Sequence, residues 1–256
     1  MQKECTECGT AFECRNDSRG CWCEALPAVM PLTEGAQCLC PDCLKAKIEC
    51  VEAWNAVAGQ YAEKYQDEIL LKPRVQEFIR DFMKDVPKDA LVCDMGCGPG
   101  QVARFLRTTF GTKTCGIDLS PLMIEHAKRL NPGIPFEAKD VLTMQETESY
   151  DAVIGMYFIV NFTPERLPLL FEKLNQLLKP GGKVLLSFHI GEDHHHREDN
   201  LWDSGKGLSF WFFNPQTVKI ALEKTGFVVE AIREREPYVE VEYASKRVYV
   251  FARKGK

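Results

Sequence analysis

The chain has 256 residues, of which 45% are hydrophobic and 27% are charged, and its formal net charge is −5. This composition is typical of a globular protein and excludes global disorder, and the length suggests one or two domains, at least one with a sizeable core. The acidic balance disfavours a broad phosphate-binding surface. No apolar run approaches the ~20 residues that span a bilayer, and the first residues lack the apolar segment of a secretory signal, so we expect neither a membrane span nor secretion.

The cysteines divide the chain into two parts. Nine of the twelve lie within the first 50 residues, and the composition changes near residues 44–50. We therefore predict a cysteine-rich module over residues 1–46 and a second domain over residues 47–256. A charged, helix-favouring stretch at residues 44–65 predicts a helix that joins the two parts.

The spacing of the cysteines predicts metal binding. A unit of about 45 residues is too small to be stabilised by apolar burial alone, so it needs metal ions or disulfides. Two C-x2-C pairs are typical of tetrahedral zinc, because a tight turn lets both thiolates face one ion. Eight thiolates would make two sites of four, and their order does not tell which cysteines share an ion. The predicted ligands are Cys5, Cys8, Cys14, Cys21, Cys23, Cys38, Cys40 and Cys43.

Two other interpretations of these cysteines remain open. A disulfide framework fits an extracellular chain, but no secretory signal is present here. A redox or iron–sulfur role is less favoured by the spacing. Cys50 lies outside the spacing pattern, and we expect it to be a buried helix residue.

The first part of the chain resembles a small bacterial family, the cysteine-rich CWC modules. The likeness covers about residues 3–44 and includes the triplet Cys21-Trp22-Cys23 and the run CLCPDCL at residues 38–44. Because the role of that family is not established, the resemblance implies no particular function for the module.

From residue 90 the sequence alternates between β-rich apolar runs and amphipathic helical stretches. Proline follows an N-capping residue at Ser120-Pro121, Thr163-Pro164 and Asn214-Pro215, which marks three helix starts. An apolar stripe from Leu167 to Leu178 predicts one face of a helix. The runs predicted as buried parallel strands are ALVCDMG, KTCGID, IPFEAK, YDAVIGMY and KVLLSFH, and two more strands follow at FVVEAIRE and SKRVYVFAR. The sum is an α/β fold, a doubly wound open sheet with helices on both faces.

A glycine-rich loop follows the first of these strands. Glycines at alternating positions from Asp94 to Gly100 let the backbone turn sharply and approach a ligand closely. Asp118 ends the next strand, 20 residues after Gly98, where a carboxylate can accept two ribose hydroxyls. Asp94 would repel a pyrophosphate and suits a cationic amino-acid group instead. The loop and the acid together predict a nucleoside pocket.

These segments resemble motif I and the following motifs of the class I S-adenosylmethionine-dependent methyltransferases, over about residues 50–256. The resemblance implies a Rossmann-like seven-stranded sheet in which the last two strands form a hairpin. It implies that the methionine part of the cofactor is bound by Asp94, Gly96, Gly98 and Gly100. It further implies that ribose and adenine are bound by Asp118 and Met123, and the adenine amine by Asp140.

The helix at residues 54–65, WNAVAGQYAEKY, resembles the lid of many small-molecule methyltransferases. Tyr61 could then face the sulfonium of the cofactor, although ordinary packing of an amphipathic helix explains it equally well. Cys93, Cys97 and Cys115 are expected to be small buried residues rather than nucleophiles.

The absence of two sequence signatures disfavours two classes of methyl acceptor. Neither the cysteine nucleophile of carbon-5 pyrimidine methylation nor the signature of amino-methylating DNA enzymes follows the fourth strand. Tyr157 lies at the end of the fourth strand, and His189 lies at the end of the fifth. A histidine side chain ordinarily titrates near neutral pH, so we name both residues as candidate catalytic residues. A histidine run, residues 194–196, lies in an apparent insertion at residues 189–213 and is expected in a solvated loop. Aromatic residues of the same insertion could line the acceptor site or belong to the core: Trp202, Phe210, Trp211, Phe212 and Phe213.

We therefore predict a cytoplasmic methyltransferase that uses S-adenosylmethionine, transfers the methyl group by in-line displacement to a small or medium-sized acceptor, and carries a structural zinc module. One alternative is a methyltransferase of ribosomal or transfer RNA whose module presents the RNA, but the acidic charge disfavours it. Another is a non-catalytic cofactor-binding protein that docks a partner, which the intact glycine loop and Asp118 disfavour. The sequence does not predict the oligomeric state.

Overall fold

The computed structural model describes residues 2–14, 21–26 and 38–255. The predictions made for residues 15–20 and 27–37 of the cysteine-rich module therefore lie outside the described residues. Within the described ranges, no helix is long and apolar enough to cross a membrane.

The first described segment is an antiparallel pair, β1 (Gln2–Glu4) and β2 (Ala11–Glu13), followed by a short 3-10 helix over Trp22–Ala25. Helix α1 (Pro41–Tyr65) then runs for 25 residues. The predicted joining helix is thus confirmed and begins three residues earlier, with Pro41 in its first turn. Because α1 passes continuously through residue 46, the two parts share one helix, and the division there stays a prediction.

The rest of the chain alternates between helices and strands as the sequence predicts, with one added hairpin. The elements in order are α2 (Pro73–Met83), β3 (Leu91–Met95), α3 (Gln101–Phe110), β4 (Lys113–Asp118), α4 (Pro121–Leu130), β5 (Phe136–Ala138), β6 (Tyr150–Met156), α5 (Leu167–Leu177), β7 (Leu178–His189), β8 (His194–Glu198), β9 (Leu208–Phe212), α6 (Pro215–Lys224), β10 (Phe227–Arg235) and β11 (Arg247–Lys254).

Seven of the described strands form one sheet in the order β10-β11-β7-β6-β3-β4-β5. The five from β3 to β7 are parallel, whereas β11 is antiparallel to both β7 and β10. This confirms the doubly wound sheet and its terminal hairpin. The strand order reverses at β3, and ligands of such sheets bind at the carboxyl ends of the strands near this point.

Apolar layers cover both faces of the sheet. Helices α5 and α6 pack on one face against Cys93 and Val153, and α2 and α3 pack on the other against Val92 and Ile154. The predicted stripe on α5 is confirmed except at Leu178, which begins β7. Its helical residues are fully buried: Leu167, Leu170, Phe171, Leu174 and Leu177.

The insertion after β7 folds as an antiparallel hairpin of β8 and β9, with His194 opposite Phe212 and Glu198 opposite Leu208. The prediction of a loop for the histidine run is therefore wrong, because the backbone of these residues is an extended strand that pairs with an aromatic strand. His194 and His195 are nonetheless exposed. Side chains alternate along a strand, so the three histidines do not face one point.

Candidate active site

A cavity of about 560 Å³ opens at the carboxyl ends of β3, β4 and β6. Its walls come from the loop after β3, the ends of β4 and β5, helix α1, the segment after β6 and the β8–β9 hairpin. The volume lies within the range of small-molecule and cofactor sites. The cavity therefore coincides with the ligand position that the strand order predicts.

The glycine loop forms the floor of the cavity. Gly96 has φ +67°, and a Cβ there would lie 2.8 Å from Cδ2 of Phe158, so no larger residue fits. Gly98 lines the cavity beneath Tyr61, and a Cβ at residue 98 would be 3.8 Å from the tyrosine ring. Gly100 instead caps α3 with φ +83° and does not belong to the cavity lining. Gly100 thus has a structural role in turning the chain into α3, and its predicted contact with the cofactor stays a prediction.

Asp118 ties the glycine loop to the end of β4. Its Oδ2 accepts a hydrogen bond from the backbone N–H of Gly98 at 2.9 Å, and its Oδ1 accepts one from Ser120 at 2.8 Å. Burial raises the pKa of Asp118, while these backbone donors act to lower it. A carboxylate has about four lone-pair positions, so each oxygen retains acceptor capacity toward the cavity, as binding of a ribose diol requires.

Asp94 lies deeper, at the end of β3, and is 1% exposed. Its Oδ2 accepts a hydrogen bond from the backbone N–H of Ala103 at 2.9 Å. Burial raises the pKa of Asp94 to about 7, and the nearby charge of Asp118 adds to the effect. A cationic ligand group next to Asp94 would favour its ionised form.

Met123 and Asp140 complete the predicted cofactor wall. Met123 lies in the first turn of α4, where its N–H donates to the capping hydroxyl of Ser120, and that hydroxyl donates to Oδ1 of Asn55 on α1 at 2.6 Å. Asp140 follows β5, and its Oδ1 accepts from the backbone N–H of Leu142 at 3.0 Å. Both residues line the cavity, as do Asp94, Gly96, Gly98, Asp118 and Tyr61.

Helix α1 closes the cavity from above with aromatic side chains. Tyr61 packs edge-on against Trp54 with ring centroids 5.6 Å apart, and its ring also contacts Tyr65 and Trp202. Burial raises the pKa of Tyr61 well above its ordinary value, so its hydroxyl stays neutral. The position supports the lid interpretation of this helix.

The two candidate catalytic residues lie in different environments. Tyr157 lines the cavity with φ +55°, and its hydroxyl accepts hydrogen bonds from Arg247 at 3.3 Å and Arg235 at 3.4 Å. Burial raises the pKa of Tyr157 to about 12, so the phenol remains protonated and can act as a donor. At neutral pH the phenol can therefore donate a hydrogen bond, whereas it is not ionised and cannot accept a proton as a phenolate.

His189 is not among the residues that line the cavity. Its ring stacks on Phe212 at 4.9 Å, and its Nδ1 is 2.7 Å from the hydroxyl of Ser245. Burial lowers the pKa of His189 to about 3, and the positive charge of Arg247 adds to the shift. Such an imidazole is a weak base, so the structure does not support His189 as the proton acceptor.

The aromatic residues of the insertion divide between site and core. Trp211 and the neighbouring Leu208 line the cavity, and His195 joins them from β8. Trp202 contacts the lid tyrosines, and Phe210 packs against Trp54. The remaining two are buried beneath the hairpin: Phe212 and Phe213.

Four cysteines converge beside the cavity and are called the four-cysteine cluster here: Cys5, Cys8, Cys40 and Cys43. All their sulfur atoms lie within 4.8 Å of one another. The two C-x2-C pairs of the sequence thus combine in one cluster, which is the donor set of a structural zinc site. These residues fit the predicted metal.

The other four predicted ligands do not form such a group among the described residues. Cys14 Sγ is 3.8 Å from Cys21 Sγ, and Lys3 donates a hydrogen bond to Cys38 Sγ at 3.1 Å. Burial raises the pKa of Cys23 to about 11, and hydrogen bonding with Cys21 adds to it. A second site therefore stays a prediction.

Cys50, expected to be buried, is partly exposed and lines the cavity.

Several charged residues of the cavity wall were not predicted, and three of them interact with one another: Glu7, Lys47 and Arg166. Lys47 forms ion pairs with both Glu7 and Asp140. Burial acts to lower the pKa of Lys47, but the two carboxylates outweigh it and raise that pKa above its ordinary value. No local pattern signals these contacts, because they join residues 40 and 93 positions apart.

A family model described as "Methyltransferase domain" matches residues 92–182. A trans-aconitate 2-methyltransferase of Rhizobium etli is 31% identical over 148 residues, which cover 56% of this chain and 54% of that protein. Phosphoethanolamine N-methyltransferase 3 of Arabidopsis thaliana is 33% identical over 110 residues, or 41% of this chain and 22% of that protein. The chain thus spans about half the length of the first relative and about a fifth of the second.

Among solved structures, magnesium protoporphyrin IX methyltransferase of Synechocystis PCC 6803 with bound S-adenosylmethionine superposes with a TM-score of 0.63 at 17% identity. The match covers 87% of this chain and the whole of that protein, and at this identity it shows the fold. The family match covers the strands that carry the glycine loop, Asp118 and Asp140, which meet in one cavity. Residues 92–182 therefore match a methyltransferase domain, and the sheet that contains them has the Rossmann-like methyltransferase fold.

Proposed function

We propose that this protein transfers a methyl group from S-adenosylmethionine to a small-molecule acceptor and that its four-cysteine cluster binds a structural zinc ion. The observation that carries the proposal is the convergence of Asp118, Asp140 and the glycine loop on one cavity beneath an aromatic helix. The two curated relatives support a small acceptor, since their names specify trans-aconitate and phosphoethanolamine.

Different residues of the cavity would bind different parts of the cofactor. When bound, S-adenosylmethionine supplies an electrophilic methyl group on a sulfonium. Asp118 would accept the ribose hydroxyls, Asp140 the adenine amino group, and Asp94 with the glycine loop would hold the methionine part. Tyr61 and Trp54 exclude water from above, and alignment in such a dry site contributes about 7–11 kcal/mol to catalysis in favourable cases.

The acceptor would occupy the part of the cavity between α1 and the β8–β9 hairpin. The polar residues of the cavity lining include Tyr157, Asn161 and Arg166, and the hairpin adds His195, Arg197 and Ser209. The indole N–H of Trp54 donates to Oδ1 of Asn161 at 3.0 Å, which fixes that amide at the wall. We infer that Tyr157 orients the acceptor by donating a hydrogen bond.

A zinc-bound thiolate cluster is typical of a reducing compartment, so we also propose a cytoplasmic location. An RNA acceptor is less favoured, because the formal charge of −5 offers little attraction for phosphates. A non-catalytic docking role is disfavoured by the cavity that the glycine loop and Asp118 form.

Calorimetric titration with S-adenosylhomocysteine, followed by transfer of a labelled methyl group to a panel of acceptors, tests the proposal. We expect micromolar or tighter binding and turnover on a small carboxylate, amine or hydroxyl compound. Turnover only on RNA, with steep salt dependence, would favour the RNA alternative. Cofactor binding without turnover on any class would favour the docking role, and absence of binding would refute the methyltransferase proposal.

A further inference from the structure

Four charged side chains of alternating sign, three of them buried, run from the loop before α5 to the end of β5. This ion-pair network consists of Arg166, Glu7, Lys47 and Asp140. Arg166 Nη1 is 3.0 Å from Glu7 Oε2, Lys47 contacts the other oxygen of Glu7, and Lys47 Nζ is 2.5 Å from Asp140 Oδ2. Glu7, Lys47 and Asp140 are each less than 10% exposed.

Each member of the network comes from a different element, and the members are far apart in sequence. Glu7 lies in the turn between Cys5 and Cys8, and Lys47 lies one turn after Cys43 on α1. Arg166 also donates to Cys43 Sγ at 2.7 Å. The network therefore touches the four-cysteine cluster at one end and the cofactor cavity at the other.

At the cavity end, two contacts fix the carboxylate of Asp140. The backbone N–H of Leu142 donates to Oδ1, and the ammonium of Lys47 donates to Oδ2. Without Lys47, Asp140 would keep one backbone contact and face Glu7 with no cation between them. Both carboxylates contact the same ammonium, so without it they would lie close together and repel each other, particularly where burial limits screening.

We propose that Lys47 is a positioning residue for the cofactor, holding Asp140 in the orientation that accepts the adenine amino group, and that the four-cysteine cluster fixes Lys47 through Glu7. The inference rests on the proposed cofactor site and goes beyond it. It assigns the cysteine-rich module a part in recognising adenine.

The test uses two ligands that differ in one group: S-adenosylhomocysteine and its analogue with unsubstituted purine in place of adenine. The parent protein should prefer the adenine ligand by about tenfold, as expected for a hydrogen bond to a charged acceptor. Lys47→Met keeps the aliphatic stem and removes the ammonium. It should weaken binding of S-adenosylhomocysteine about tenfold and binding of the purine analogue less than twofold.

Three variants control this measurement. Lys45→Met removes an exposed lysine of the same helix, which pairs with Glu49 at 4.0 Å, and should change neither affinity. Lys47→Arg restores the positive charge and should recover most of the preference for adenine. Glu7→Gln leaves Lys47 with Asp140 alone and should lower the preference about threefold, which provides a second test if Lys47→Met does not fold.

Metal removal tests the link to the cluster. A chelator that removes zinc from the parent should lower the preference for adenine, whereas in Lys47→Met it should lower the preference no further. An equal loss for both ligands in Lys47→Met, or an unchanged preference in Lys47→Met or Glu7→Gln, would overturn the positioning role. A parent that binds neither ligand would instead refute the proposed function itself.

Discussion

The sheet and the four-cysteine cluster are stabilised by different forces. In the sheet, β6, β7 and β11 contribute side chains that are fully buried between two helical layers, such as Val153, Leu186 and Val250. The apolar cluster around the cysteines consists of Cys5, Cys40 and Cys43 with two partly buried neighbours. Burial of apolar area can stabilise the first region, whereas the proposed zinc ion would stabilise the second.

Helix α1 connects these two regions and makes one depend on the other. Its first turn contains the cluster residue Cys43, and its last turns carry Tyr61 and Tyr65 over the cavity. Ordering of the cluster therefore orders the start of the helix that closes the cofactor site. Perturbations of the cluster should reach the cavity, whereas those of the cavity should leave the cluster intact.

Removing the metal should produce the largest effect. Zinc contributes about 10–16 kcal/mol to the folding of small zinc domains, and few apolar contacts remain here without it. We expect chelation, or Cys43→Ala, to abolish protection of the backbone amides in β1, β2 and the first turn of α1, while those of β6 and β7 stay protected. Hydrogen exchange with mass spectrometry, together with zinc analysis, measures this.

Cys50→Ala is the matched control, because Cys50 lies on the same helix outside the four-cysteine cluster. It should leave zinc content and amide protection unchanged. Equal protection of β1 and β2 with and without metal would show that the two regions are stabilised alike.

Asp118→Ala should affect the cavity without affecting the cluster. Two hydrogen bonds to a charged acceptor contribute about 1.5–3 kcal/mol each, so affinity for S-adenosylhomocysteine should fall at least about 100-fold. Calorimetry measures the affinity, and zinc content should not change. Asp151→Asn alters a carboxylate at the opposite end of the sheet, where it pairs with Lys179, and should bind the ligand as the parent does. Comparable losses in both variants would contradict the assignment of Asp118.

Substitution of two glycines in the sheet domain distinguishes the cost of backbone strain from the cost of a steric clash. Gly100 and Gly111 flank α3, and both have positive φ, 83° and 68°. A Cβ on Gly100 would lie 2.7 Å from Asn131 and Phe136, whereas one on Gly111 would meet nothing within 4 Å. Gly111→Ala should cost about 1 kcal/mol through its left-handed backbone, and Gly100→Ala about 2 kcal/mol more through the clash. Urea denaturation of the two variants measures the difference, and equal losses would contradict it.

The parts of the structure that sequence could predict are those set by local patterns. The glycine loop and Asp118 were found because strand-end residues of a parallel sheet meet at one edge. The contact of Lys47 with Asp140 escaped prediction because it depends on how α1 lies across the sheet. The pairing of His194–Glu198 with an aromatic strand was missed for a related reason: both strands are short, and the histidine run has no apolar alternation.

The last prediction is a pH dependence of cofactor affinity that originates in Asp94. Its folded pKa of about 7 lies above its ordinary value of 3.8, so the folded protein retains a proton that the unfolded chain loses between those values. This group therefore lowers the stability of the ligand-free protein as pH rises from about 4 to 7. The cationic methionine part of the cofactor favours ionised Asp94, so affinity should rise about tenfold between pH 6 and pH 8 and then level off.

Asp94→Asn separates this effect from the chemistry of the cysteines. Metal binding by thiolates also weakens as pH falls, because the sulfur atoms must be deprotonated. If Asp94 causes the rise in affinity, the asparagine variant should bind S-adenosylhomocysteine with nearly constant affinity from pH 6 to 8 while zinc content follows that of the parent. If the rise persists in Asp94→Asn and follows the loss of zinc, the pH dependence belongs to the four-cysteine cluster and reaches the cavity through α1.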